Sequence, residues 1–200
     1  MSYASNRELR AKAREQLGNS IFGQNWLMAL LVLLIASAIV SFGSAFVIVG
    51  LLLEGVLMVG VSGIFLSLKR KGGEIEITDL FSGTKQLADN MLLGLMHYVF
   101  VFLWSLLFVI PGIVKGYSYS MCYYIKNDHP EYTWRECIDA SRKMMRGHKW
   151  RLFTLHFSFI GWYIVGSLAF GIGTLWVNPY LRAAEANFYE DLLEKTFAEA

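Results

Sequence analysis

The sequence predicts a single all-α membrane domain over residues 1–200, a polytopic transmembrane helical bundle of about six spans in three hairpins. Hydrophobic residues make up 55% of the chain and charged residues 17%, whereas about 25% of an ordinary soluble domain is charged. The charged residues also avoid four stretches, residues 16–53, 55–68, 90–114 and 152–181. Most of these stretches match or exceed the roughly 20 residues with which a helix crosses the hydrocarbon core.

The first predicted element is a short amphipathic helix over residues 5–18. Apolar side chains fall on one of its faces and arginine side chains around the other: Leu9, Ala13 and Leu17 against Arg7, Arg10 and Arg14. Helices of this kind commonly lie on the anionic surface of a membrane. The apolar run that follows is much longer than the ~7 to 15 residues of a cleavable signal core, so we expect it to be retained as the first span.

Six spans are predicted, over residues 22–44, 48–68, 90–110, 112–126, 151–170 and 174–190. As one helix, residues 26–68 would be about 64 Å long, about twice the thickness of the core, so the chain is expected to fold back within residues 43–50. Pro111-Gly112 is expected to bend the chain between the third and fourth spans. Residues 171–173 are expected to turn it between the fifth and sixth.

Polar, helix-prone segments precede the three predicted hairpins, over residues 5–18, 78–89 and 133–148. In the last of them, Thr133 and Glu136 fit a capping box, which predicts a second amphipathic helix over 133–148 on the cytoplasmic surface. We therefore hypothesise a unit of surface helix, span, turn and span that occurs three times. Arg14 and Arg142 are 128 positions apart, as are Glu54 and Arg182, but identity between the units is too slight to establish duplication.

The distribution of cations predicts the orientation. All but two of the 18 Lys and Arg residues fall on the side that holds both termini. The positive-inside rule then predicts a multi-pass protein of the cell (plasma) membrane with both termini in the cytoplasm. A net charge of +2 without a folded polar surface gives no basis for nucleic acid as a partner.

Glu54, Lys115 and Arg182 are charges that this arrangement does not place in water. Because ionisable groups are costly inside a bilayer, they predict a binding site between helices for an anionic headgroup or solute. The alternative is that Lys115 and Arg182 extend to the interface, where Glu54 also lies, and that all three only stabilise the orientation.

A second candidate surface is the basic segment between the fourth and fifth spans. Its members are predicted to contact anionic lipid: Arg142, Lys143, Arg146, His148, Lys149 and Arg151. Each well-placed cation contributes about 1 kcal/mol to such binding. The alternative is that these cations only set the topology.

Recognisable catalytic and metal-binding patterns are absent from the sequence. It contains no HExxH, no paired carboxylates and no Gly-x-Ser-x-Gly. Cys122 and Cys137 have no spacing typical of a disulfide or zinc site, so we expect two unpaired thiols. The sequence therefore predicts no enzymatic activity, no metal and no cofactor.

Several strings resemble those of an uncharacterised family of bacterial, mainly Gram-positive, multi-pass integral membrane proteins, a domain-of-unknown-function family. They include Ile110-Pro111-Gly112-Ile113 with Lys115, Tyr117-Ser118-Tyr119-Ser120-Met121, Ser141-Arg142, Gly147-His148-Lys149, Phe157-Ser158-Phe159-Ile160-Gly161-Trp162 and Pro179-Tyr180. The resemblance covers the whole chain and is specific from about residue 110 onward. It implies no established activity, cofactor or partner, and it implies that Lys115 and residues 147–149 matter to the family.

We interpret the chain as a non-enzymatic membrane protein that binds anionic membrane lipids, a partner protein or a second copy of itself, in envelope maintenance. A first alternative is a small transporter or channel with Glu54, Lys115 and Arg182 around a site between helices. A second alternative is a membrane-embedded enzyme that modifies a lipid, with Asp128, His129 or His148 at its centre.

Overall fold

The protein is described by a computed structural model over residues 3–18, 23–43, 47–72, 74–168 and 172–198. Within these ranges the chain is helical and contains no β-strand, which confirms the predicted all-α class. Parts of the predicted turns within 43–50 and 171–173, and the ends of the first predicted span at residues 22 and 44, lie outside the described residues.

The helices follow one another along the chain with short connections. Their bounds are α1 Asn6–Gln16, α2 Gln24–Gly43, α3 Val47–Lys71, a 3-10 helix Ile77–Gln86, α4 Leu87–Leu107, α5 Val109–Tyr119, α6 Cys122–Asp128, α7 Trp134–Met144, α8 Lys149–Phe157, α9 Ile160–Leu168 and α10 Ile172–Ala198. Both predicted amphipathic helices are therefore present, as α1 and α7.

The chain divides into two compact units. Unit 1 comprises Met1–Leu34, Ile64–Ile77 and Arg151–Ala200. Unit 2 comprises Ile35–Gly63 and Thr78–Trp150. Helix α1 packs against α10 in unit 1, and α7 packs against α4, α5 and α6 in unit 2.

Helices α1 and α7 are the same element used twice, with every boundary displaced by 128 positions. Each begins with a capping box. The Ser5 hydroxyl accepts from the Glu8 N–H at 3.3 Å, and the Thr133 hydroxyl accepts from the Glu136 N–H at 3.4 Å. Both glutamates accept in return from the N–H of the capping residue, at 2.7 Å. This equivalence supports the hypothesis of an internal repeat.

The buried faces of α1 and α7 also correspond. Adding 128 to the numbers of three α1 residues gives three α7-segment residues, and all six are 0% exposed: Leu9, Ala13 and Leu17, then Cys137, Ser141 and Met145. These apolar faces pack on other helices of the protein, and the location of α1 and α7 at a membrane surface stays a prediction. A helical period shows that a face is covered, but it does not show by what.

The 3-10 helix lies against α3 in backbone contact. A Cβ atom added to Gly60 would lie 1.9 Å from the Leu80 carbonyl oxygen, and one added to Gly83 would lie 2.1 Å from the Val56 carbonyl oxygen. Because any side chain at either position would collide with backbone, glycine is what allows this packing in unit 2.

The expected bend at Pro111-Gly112 is wrong by a few residues. Helix α4 ends at Leu107, and Phe108 is extended with φ −160° and ψ 145°. Pro111 lies in the first turn of α5, where the missing N–H of proline has no intrahelical partner to lose. The expected fourth span is interrupted between α5 and α6, and the expected fifth between α8 and α9. Helix α10 continues to Ala198, past the expected end of the sixth span at residue 190.

Two helical stretches in the described ranges are long and apolar enough to cross a membrane, Val49–Lys71 and Ile77–Leu106. Gln24–Val40 is a shorter apolar helix. These lengths and compositions are compatible with membrane association, and the predicted count of six spans goes beyond them.

Candidate functional site

A cavity of about 480 Å³ lies between α4, α5 and α7 in unit 2. Its walls are aromatic and charged: Phe100, Trp104, Lys115, Tyr119, Trp134, Arg135, Ile138, Asp139 and Arg142. A volume of this size accommodates a group such as a lipid headgroup.

Helical spacing directs these side chains into one space. Phe100 and Trp104 are one turn apart on α4, and Lys115 and Tyr119 are one turn apart on α5. On α7 the lining positions are 134, 135, 138, 139 and 142, and the last four form one stripe of the helix next to its buried face. The capping box fixes where α7 begins and hence the direction of this stripe.

Positive charge exceeds negative charge in the cavity. The Lys115 ammonium lies 4.2 Å from the centroid of the Trp104 ring, and the Arg135 guanidinium lies 5.1 Å from the centroid of the Trp134 ring. Arg142 donates to Asp139 at 3.0 Å, with side chains 48% and 60% exposed, so this pair is weak. Three cations and one carboxylate among aromatic rings suit a ligand that has both an anionic group and apolar parts.

The cavity brings together residues from both predicted sets. Lys115 comes from the predicted trio, and Arg142 comes from the predicted lipid-contact set. Glu54 is half-buried on α3 in unit 2 and is not among the residues that line this cavity. Arg182 lies on α10 in unit 1, where it donates to Glu185 at 3.0 Å. Glu185 also pairs with His156 at 2.9 Å.

The other members of the predicted lipid-contact set differ in exposure. Lys143 and Arg146 are exposed, and His148 and Lys149 are half-buried. Arg151 is held inside unit 1, because it donates to the Ala4 carbonyl at 2.9 Å and to the Asp191 carboxylate. This geometry favours an internal role for Arg151 over contact with lipid.

Asp191 is the centre of that internal network in unit 1. It accepts from Arg151 and, at 2.9 Å, from Lys195. Burial by itself would raise the pKa of Asp191, but the hydrogen bond from Lys195 and the charge and hydrogen bond of Arg151 hold this pKa below its usual value. The carboxylate is therefore kept charged and structural.

Lys126 is a buried cation that sequence reasoning missed. Its side chain is 1% exposed, and its ammonium contacts Asp89 at 3.1 Å and the Pro130 carbonyl at 2.9 Å. It also donates to the Tyr132 carbonyl. Lys126 ends an apolar run, as does a lysine that reaches out to the interface, so the sequence carries no signal that separates the two situations.

Among the groups that could carry metal or thiol chemistry, the Cys122 Sγ atom lies 3.6 Å from the His97 Nδ1 atom. In the part of the chain that the structure describes, no three His, Cys, Asp or Glu side chains are grouped to hold a metal ion. Cys122 and Cys137 are free and buried, and burial raises the pKa of the Cys137 thiol to about 11. His129 and Glu131, 3.0 Å apart, form an exposed pair in a turn.

Comparison with known proteins places the chain in one family. A family model described as "Protein of unknown function (DUF975)" matches residues 1–115 and 106–196. No curated protein and no solved structure matches the chain. The resemblance to a domain-of-unknown-function family is thereby confirmed.

Proposed function

The chain belongs to this family of proteins of unknown function, and we propose that it is a non-enzymatic membrane protein that binds anionic lipid headgroups in the cavity beside Lys115. The observation that carries the proposal is the cavity itself, in which cations from two separate chain segments meet aromatic rings. Lys115 comes from α5, whereas Arg135 and Arg142 come from α7. Their combined charge attracts an anion, and the rings offer contact to its apolar parts.

Apolar surface beside the cavity favours a lipid over a soluble anion. Phe102, Leu106, Phe108 and Ile110, around the connection of α4 to α5, are between 64% and 75% exposed. Exposed apolar patches of this kind mark membrane or partner contacts. A lipid held by its headgroup in the cavity would lay its acyl chains along this surface.

The charged outer face of α7 bears on how deeply the second hairpin, α4 with α5, enters the membrane. Asp139 and Arg142 are about half exposed and Lys143 is exposed beside them, and such charges are unfavourable in hydrocarbon. We therefore place the cavity at headgroup level. The segment of α5 that would extend from Lys115 into the membrane, residues 109–115, is about 9 Å long. This length is roughly a third of the thickness of the hydrocarbon core.

We propose that this end of the second hairpin, residues 102–114, enters one leaflet from the cytoplasmic side. The proposal keeps both termini in the cytoplasm, as the positive-inside rule predicts. Full crossing by the second hairpin, at the predicted spans 90–110 and 112–126, is the alternative. The other spans, over 22–44, 48–68, 151–170 and 174–190, stay predictions.

Labelling from outside the cell distinguishes the two arrangements. We expect Phe108→Cys, in intact cells, to resist a membrane-impermeant maleimide, because the side chain would lie within the inner leaflet. Cys122 and Cys137 are buried and give the background in wild type. Efficient labelling from outside would show that the hairpin crosses, and the six-span arrangement would then stand for this segment.

Loss of cavity cations is expected to weaken lipid retention. We expect native mass spectrometry of the gently solubilised protein to show a retained anionic lipid, with affinity about fivefold lower in Lys115→Gln because one well-placed cation contributes about 1 kcal/mol. Arg142→Gln should have a similar effect, and the double variant a larger one.

Lys143→Gln is the matched control for that measurement. Lys143 is exposed on α7, next in sequence to Arg142, and does not line the cavity. The proposal predicts nearly unchanged lipid retention in this variant. If Lys143→Gln and Arg142→Gln lowered lipid retention equally, the effect would come from the overall surface charge of α7. The cavity would then be overturned as the binding site.

A further inference from the structure

A second cavity, of about 390 Å³, lies in unit 1 between α1, α9 and α10. It is lined by Arg7, Arg10, Ala11, Arg14, Trp162 and Tyr180. As in the first cavity, an amphipathic helix contributes the arginines, and two helices from elsewhere in the chain contribute aromatic rings, α4 and α5 in the first cavity and α9 and α10 in the second.

The positions that α1 contributes to the second cavity all have counterparts on α7 in the first. Adding 128 to the α1 positions 7, 10, 11 and 14 gives 135, 138, 139 and 142, four of the five α7 positions that line the first cavity. The fifth, Trp134, corresponds to Asn6, which is not in the wall of the second cavity. Two of the four positions carry arginine in both helices, Arg7 with Arg135 and Arg14 with Arg142.

This correspondence has a structural cause. Helices α1 and α7 have capping boxes and buried faces at positions 128 apart. The positions beside the buried face therefore have the same orientation relative to that face in both helices. Helix α1 packs on α10 and α7 packs on α4 and α5, so the two cavities are built from different helix pairs. Equivalent faces of α1 and α7 therefore line the two cavities.

The second cavity is at least as favourable for an anion as the first. It is lined by three arginines and no carboxylate, since Ala11 occupies the position of Asp139. Arg10 is held by the Ser158 and Asn6 carbonyl oxygens, each at 3.4 Å. The Arg14 guanidinium lies 5.9 Å from the centroid of the Tyr180 ring.

Apolar surface adjoins this cavity as well. Trp162, in its wall, is 46% exposed, and Ile164 and Val165, further along α9, are 57% and 63% exposed. A ligand that combined a phosphate with hydrocarbon chains would contact the arginines and this surface together.

We propose that the second cavity holds a second anionic lipid, bound by its phosphate to Arg10 and Arg14, so that each unit of the chain binds one lipid. This inference rests on the proposed function, because it assigns to the second cavity the ligand chemistry of the first. It commits to a membrane lipid, whose chains the apolar surface would accommodate, over a free phosphate.

Counting bound lipids tests the inference. In native mass spectrometry with phosphatidylglycerol at a fixed ratio to protein, we expect up to two lipids on wild type. Arg14→Gln should weaken one of the two binding steps about fivefold, as expected for one cation, and Arg14→Gln with Arg142→Gln should weaken both. Lys12→Gln is the matched control, because Lys12 is exposed on α1 and does not line the cavity.

The outcomes separate this inference from the proposed function. One retained lipid, lost in Arg142→Gln and unaffected by Arg14→Gln, would overturn the second site and leave the first. If wild type retained no lipid, both the second site and the proposed function would be overturned. Displacement of the second lipid by millimolar inorganic phosphate would show a site for free phosphate and would overturn the assignment to lipid.

Discussion

Replacement of Lys126 by methionine is expected to destabilise the protein by about 3 kcal/mol. Methionine keeps most of the volume of the side chain, so the loss comes from the ammonium and its partners. The Lys126 side chain is 1% exposed, and Asp89 and the carbonyl oxygens of Pro130 and Tyr132 surround its ammonium. Removal of the ammonium leaves these acceptors facing an apolar group.

Thermal unfolding in a mild detergent measures this effect. For a chain of this length, about 3 kcal/mol corresponds to a fall of the midpoint by about 6 to 12 °C. Asp89→Asn should lower the midpoint less, because Asp89 is 37% exposed. The amide oxygen of the new asparagine can also still accept a hydrogen bond from Lys126.

Lys143→Met is the control for Lys126→Met, since it makes the same chemical change at an exposed position on α7. Its effect should stay within about 0.5 kcal/mol, as is usual for surface substitutions. If the two variants unfolded at the same temperature, the contacts of the buried Lys126 ammonium with Asp89 and the carbonyl oxygens would contribute nothing, and the structural role assigned to Lys126 would be wrong.

Gly60→Ala is expected to destabilise the protein by about 2 kcal/mol, against the usual preference for alanine in a helix. The new methyl carbon would lie 1.9 Å from the Leu80 carbonyl oxygen. Because that oxygen belongs to the backbone, α3 and the 3-10 helix would have to separate and lose apolar contact.

Gly116→Ala, in the same unit, is expected to have the opposite effect on stability. A Cβ atom added to Gly116, on α5, meets nothing within 4 Å, so the helix preference for alanine should stabilise the protein by up to about 1 kcal/mol. Thermal midpoints of the two variants should therefore fall on opposite sides of wild type. A midpoint for Gly60→Ala at or above that of wild type would contradict the close backbone packing of α3.

The amphipathic helices could be predicted from the sequence because their signals are local. Expected bounds of 5–18 and 133–148 enclose α1 at Asn6–Gln16 and α7 at Trp134–Met144. A capping box needs only residues three positions apart, and an apolar stripe needs only one helix. In the sequence, one pair of arginines 128 positions apart, Arg14 and Arg142, indicated the offset. The structure shows that the bounds, caps and buried faces of α1 and α7 have the same offset.

Helix interruptions were harder to predict than helices. The break at Phe108 has no glycine or proline of its own, and the neighbouring Pro111 is compatible with the first turn of α5. Continuous apolar sequence likewise concealed the interruption between α8 and α9. Hydropathy indicates where apolar residues occur, but it gives little information on whether the helix that contains them is continuous.

The sequence by itself determined the helical class, the membrane-like composition and the two amphipathic helices, because these depend on residue type and on neighbours within one or two turns. Only the tertiary structure decided what those helices cover and which cations meet. Lys115 and Arg142 come to one cavity from different helices, and Lys126 is enclosed by a loop that follows it. Such contacts depend on how separate helices pack, and packing is fixed by the fit of whole surfaces that no local pattern describes.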